Sequence, residues 1–146
     1  DWGFILIGPN AEPMDDLSAL DNVHLLGARP YEDLPHYYKA WDAALLPFVH
    51  NSGTAHINPT KMLEYGAAGV PIVARALPDV SRFYSEGALL FEDPKTFIAH
   101  LKKLDSASSG ERDAILTRAR DWARARDWDS LADRMLSRVM GLLKDQ

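Results

Sequence analysis

Asn58, Thr60, Lys61 and Glu64 fall within one short stretch, followed by Tyr65-Gly66-Ala67-Ala68-Gly69-Val70-Pro71. Lys61 and Glu64 are three residues apart and Thr60 precedes Glu64 by four, so on a helix all three share a face. A helix start offers unpaired N–H groups and partial positive charge, which suit a phosphate. Asn58, Thr60 and the nearby amides can hold a diphosphate, and Lys61 adds a point charge for the same anion. A carboxylate one turn deeper, Glu64, suits a vicinal diol, because both hydroxyls can donate to it. The plain alternative is an exposed Lys61–Glu64 pair worth under about 1 kcal/mol. Just upstream, His50-Asn51-Ser52-Gly53-Thr54-Ala55-His56 is short, polar and glycine-containing. Gly53, Thr54 and His56 are its candidates for ligand contact. Two histidines six apart without a nearby carboxylate make a poor metal set, and no metal is expected.

The elements that must position these groups read as an α/β fold, a Rossmann-like doubly wound parallel sheet. Asn58 suits an N-cap and Pro59 the first helical position. Gly69 supplies a left-handed stop and Pro71 forbids continuation, so a helix is expected over 59–68. Apolar, strand-like runs lie at Phe4–Ile7, Val23–Leu26, Ala43–Pro47, Val70–Ala74 and Ala88–Phe91. Helical patterns fall near Tyr31–Trp41, Val80–Tyr84 and Lys95–Leu104, and this alternation implies right-handed crossovers. Leu104–Gly110 reads as a small-residue linker before two helices, about Glu111–Arg126 and Asp129–Lys144. Their candidate packing residues are Trp122, Leu131, Met135, Leu136, Val139, Leu142 and Leu143. Residues 1–104 are expected to form the nucleotide-binding core, and 105–146 a linker with helices packed on the same domain. Gly8-Pro9-Asn10 and Gly27-Ala28-Arg29-Pro30 end the first two strands, where such sheets meet ligands. Gly8 is a candidate contact there, and Arg29 either stacks on a base or faces solvent. Tyr37, Tyr38 and Trp41 most simply pack their helix onto the sheet, and Trp128 reads as an anchor for the last helix.

The run Asn58-Pro59-Thr60-Lys61-Met62-Leu63-Glu64-Tyr65-Gly66-Ala67-Ala68-Gly69-Val70-Pro71-Ile72-Val73 resembles the donor-binding segment of GT-B glycosyltransferases, specifically the retaining family-four (group 1) enzymes. Phe4-Ile5-Leu6-Ile7-Gly8, Asn22-Val23-His24-Leu25-Leu26-Gly27, Leu34–Asp42 and Asp127-Trp128 carry the likeness along the chain. The resemblance implies the C-terminal, donor-binding half of a glycosyltransferase using a UDP- or GDP-sugar, with no tightly bound cofactor. Glu64 would bind the ribose, the helix start and Lys61 would stabilise the departing diphosphate, and backbone near Arg29 would receive the base. Many members of that family place a glutamate eight residues before the ribose carboxylate; His56 stands there and, with Lys61, is the catalytic candidate. The acceptor (a glycan, lipid or small molecule) would be held by an N-terminal domain, so this stretch alone would be inactive. The resembled domain opens with a further central strand, so a gap, a lent strand or a homodimer is also expected. Two other readings stay open: a non-catalytic nucleotide- or glycan-binding module, and a GT-B nucleotide-sugar epimerase.

Composition narrows the classes. With 146 residues, 47% of them hydrophobic, the chain can bury one ordinary core. It lacks cysteine, which removes disulfide and zinc-finger readings. No apolar run approaches the roughly 18 residues of a membrane span, and a cytoplasmic site, membrane-peripheral in the whole protein, is expected. The net charge of −5 speaks against nucleic acid. The arginine-rich tail does not reverse this, since from Glu111 to Asp145 seven acids interleave with eight bases. They read as a solvated face with i, i+4 pairs. No G-x-G-x-x-G dehydrogenase fingerprint is present, and Pro47 stands where a phospho-receiver domain needs an aspartate.

Overall fold

The computed structural model describes residues 2–9 and 13–144; Asn10 and Asp145, named above, lie outside them. The elements run β1 (Phe4–Ile7), α1 (Asp15–Ser18), β2 (Val23–Gly27), a 3-10 turn (Tyr31–Asp33), α2 (Leu34–Lys39), β3 (Ala44–Leu46), α3 (Lys61–Ala68), β4 (Ile72–Arg75), α4 (Pro78–Tyr84), β5 (Leu89–Phe91), α5 (Pro94–Ser106), α6 (Ser109–Arg124) and α7 (Trp128–Lys144). They form two compact units, Asp1–Tyr37 and Tyr38–Gln146.

In the first unit β1 and β2 pair in parallel, Phe4 opposite Val23 and Leu6 opposite Leu25, with an irregularity between Leu6 and Ile7. In the second, β3, β4 and β5 make a three-stranded parallel sheet in that order. The α/β class and parallel pairing agree with expectation, but the strands fall into two open sheets where one was expected. The core of the second unit is the central strand with its flanking helices: Ile72, Val73, Ala74, Leu77, Val80 and Met62 are essentially inaccessible. Strand β4 is buried along nearly its whole length, as expected of a parallel strand covered on both faces.

Two of the helices owe their starts to local chemistry. Asp93 caps α5 by accepting from the Thr96 amide (2.7 Å) ahead of Pro94. Ser108 and Glu111 form a capping box at α6. With α5 running to Ser106, the Ser108 cap shortens the expected linker to Ala107 and Ser108, because serine there starts a helix where composition alone suggested a spacer. Helix α6 then packs closely on α3. A Cβ added at Gly66 would lie 2.9 Å from Ala123 Cβ and 3.0 Å from the Ala119 carbonyl, so glycine is what allows this approach.

The last helix departs from expectation. Trp128 is 80% exposed and anchors nothing, and Met135, Leu136, Val139, Leu142 and Leu143 are likewise exposed. The tail arginines depart as well. The ion pairs among the described residues are Arg112–Asp42 (2.8 Å) and Arg126–Glu86 (3.6 Å), which tie α6 to distant chain; neither is an i, i+4 pair.

Candidate functional site

The polar cluster forms at the start of α3, but not by the expected cap. The regular helix begins at Lys61, and Thr60 at its N-cap position already has helical dihedrals with no side-chain cap. The entry is a tight turn from Pro59: the Met62 amide donates to the Pro59 carbonyl at 3.1 Å and the Leu63 amide to the Thr60 carbonyl at 2.9 Å. Asn58 does not cap; its Oδ1 accepts a hydrogen bond from the Tyr84 hydroxyl, 26 residues away. Among the described residues no acceptor meets the amides of Thr60 and Lys61. Two donors and the helix dipole therefore face outward beside the exposed Lys61 side chain. Glu64 lies one turn on and half-buried, with Oε2 accepting from the Tyr38 hydroxyl at 3.1 Å.

The loop leading to α3 is organised by Asn51. Its Oδ1 accepts from the amides of Gly53 (2.9 Å) and Thr54 (3.0 Å). The Thr54 hydroxyl donates to the Val49 carbonyl. The polar groups expected of Gly53 and Thr54 as ligand contacts are thus engaged in the loop's own Asx turn. His56 is exposed two residues before Asn58. In the first unit, the Gly8 amide donates to the Gly27 carbonyl at 3.0 Å. Arg29 is bound through its Nε to the Tyr37 hydroxyl (3.1 Å) and through Nη1 to the Ala28 carbonyl (2.9 Å).

Two tyrosines stand beneath the cluster. Tyr84 is buried, its ring 5.0 Å from that of Trp122, whose Nε1 donates to the Phe83 carbonyl at 3.3 Å. Burial raises the Tyr84 phenol above its ordinary value, against a smaller opposing pull from Arg126. Tyr38 is buried in contact with Tyr65 and Trp41, each ring centroid 5.1 Å away. Burial, helped by the Glu64 charge, raises the Tyr65 phenol too. Tyr38 was expected to pack, and it does so, but its hydroxyl contact and the whole of Tyr84's part escaped the sequence. The signal that existed was a tyrosine on the apolar face of a short mixed helix, since a buried phenol must find a partner.

A cavity of about 380 Å³ lies at the opposite end of α3, among Trp41, Asp42, Gly69, Arg112 and Arg120. Its lining includes Tyr38 but none of Asn58, Thr60, Lys61 or Glu64, and Asp42 already binds Arg112. The cluster, at the carboxyl side of β3, is the better candidate because open α/β sheets meet ligands there. Among the described residues no helix is long and apolar enough to cross a membrane.

The profile of the family described as "Glycosyl transferases group 1" matches residues 1–106. The chain is also similar to the "Putative teichuronic acid biosynthesis glycosyltransferase TuaH" of Bacillus subtilis (strain 168), at 30% identity over 155 residues. That alignment covers 99% of this chain and 37% of the relative.

Proposed function

Because the chain belongs to the group 1 glycosyl transferases, we propose that it is the donor-binding half of a retaining GT-B enzyme. Its substrate on this reading is a UDP- or GDP-sugar, held with the diphosphate at the start of α3. Asn58, the Thr60 and Lys61 amides and the Lys61 ammonium receive the phosphates; Glu64 receives the ribose hydroxyls. Lys61 and the helix start stabilise the leaving diphosphate electrostatically, with His56 beside the transferred sugar. Residues 1–104 carry the nucleotide-binding function, with α6 supporting α3 through the close approach at Gly66. By likeness to a relative named for teichuronic acid biosynthesis, the acceptor is a polysaccharide, bound by the rest of a longer protein.

The observation that carries this reading is the pairing of two outward-facing amides with a carboxylate one helical turn away. That arrangement combines an anion site with a diol acceptor. The strand pairing supports it, being parallel in both units as in a doubly wound fold. Saturation-transfer NMR of the chain with UDP, GDP and ADP tests it. One nucleotide should show saturation that Glu64→Ala clearly reduces. No saturation with any of the three, or saturation indifferent to Glu64, would overturn it.

A further inference from the structure

We propose that Tyr84 and Tyr38 are positioning residues, each fixing from beneath one polar side chain at the start of α3: Tyr84 the carboxamide of Asn58, Tyr38 the carboxylate of Glu64. The inference rests on the donor-site reading above and deepens it, since neither tyrosine touches the ligand.

The geometry differs for the two. A carboxamide is a donor at one end and an acceptor at the other, and free in solvent it presents either. The Tyr84 hydroxyl donates to Asn58 Oδ1, which commits the Nδ2 end of this exposed residue to donation. It then adds to the Thr60 and Lys61 amides as a third donor for an anion. Tyr84 can hold this position because it is packed in: it is 5% exposed and its ring lies tilted against that of Trp122, 5.0 Å away. Trp122 is itself covered by Arg126, whose guanidinium carbon lies 4.8 Å from the ring centroid. Tyr38 acts on orientation alone, because both oxygens of a carboxylate accept. Its hydroxyl pins Oε2 at 3.1 Å and so sets the plane of the Glu64 carboxylate. The aromatic group of Tyr38, Tyr65 and Trp41 fixes the ring that carries that hydroxyl.

The test uses Tyr84→Phe and Tyr38→Phe, which keep the rings and remove only the hydroxyls. Dissociation constants are measured for whichever of UDP, GDP or ADP the wild-type chain binds, for its nucleoside, and for its 2′-deoxy form. Tyr84→Phe should cut the affinity that the diphosphate adds over the nucleoside by threefold or more, leaving the ribo-to-deoxy ratio unchanged. Tyr38→Phe should do the reverse, bringing the ribo-to-deoxy ratio down threefold or more. In an Asn58→Ala background Tyr84→Phe should have no further effect, which a general loosening would not imitate. Equal loss of all three ligands in either variant would make that tyrosine a packing residue and overturn its assignment, as would unchanged ratios. A wild-type chain whose affinity gains nothing from the phosphates would instead fail the donor-site reading itself, before any variant is made.

Discussion

The two ends of α3 are built to opposite rules. Its C-terminal half is closed: Gly66 lies against α6, and the amides of Gly69 and Val70 donate to the Gly66 and Tyr65 carbonyls. Gly69 has φ +71°, and a Cβ there would fall 2.2 Å from Arg120 Nε. Its N-terminal end is open: Thr60 and Lys61 are exposed and their amides meet no acceptor among the described residues. One eight-residue helix thus carries stability at one end and an unfilled hydrogen-bonding surface at the other. Substitutions at the closed end should cost folding energy and leave intrinsic ligand contacts alone; substitutions at the open end should do the reverse.

The sharpest way to break the contrast is Gly66→Leu, which forces a side chain into a gap of 2.9 Å against Ala123. It should destabilise the chain by about 3 kcal/mol, the upper range for overpacking, read from urea unfolding. An unchanged midpoint would mean that α3 and α6 do not pack as described. At the open end, Glu64→Ala should weaken nucleoside diphosphate binding roughly tenfold or more, the scale of a charged hydrogen bond. Its unfolding free energy should fall by less than that of Gly66→Leu, by about 1.5 kcal/mol, the low end for a hydrogen bond to a charged group. Gly69→Ala should cost about 1 kcal/mol from the left-handed backbone, plus whatever displacement Arg120 requires, with nucleotide affinity intact. Lys61→Ala should weaken binding about threefold, with the difference shrinking as salt is raised.

The smallest effect is a pH dependence. The Tyr65 and Tyr84 phenols are both held above their ordinary value, chiefly by burial. The unfolded chain therefore releases those protons first as pH rises. Their stabilising contribution is complete below the unfolded value of about 10 and is lost as pH rises through the higher folded values. Melting temperatures followed upward from about pH 9 should fall less steeply in Tyr84→Phe than in wild type.

The same contrast explains what could be read from sequence. The closed end was legible because its determinants are local: Gly69 and Pro71 stop the helix, and Val70–Ala74 announces a buried strand that is found at Ile72–Arg75. All five strands carried such apolar runs. The four-residue α1 did not, having too few turns to show a period. At the open end the sequence placed Asn58, Thr60, Lys61 and Glu64 at the start of a helix, but their connections were not legible. Asn58 is a good local N-cap by composition, yet a hydroxyl 26 residues away takes its oxygen. Arg112 looks like part of a self-paired helix face, yet its partner Asp42 is 70 residues away. Trp128 carries the mark of an anchor but finds no cover. A pattern fixes which face is apolar or charged, while the identity of its partner is a property of the folded chain.

The most direct test of the account is amide chemical-shift mapping of the isotopically labelled chain during titration with UDP, GDP and ADP in turn. The account predicts that the largest shifts belong to Thr60, Lys61 and Glu64, with Gly66 to Val70 nearly still. Shifts centred on Gly69, Val70 and the Arg112–Arg120 face, or none at all, would contradict it.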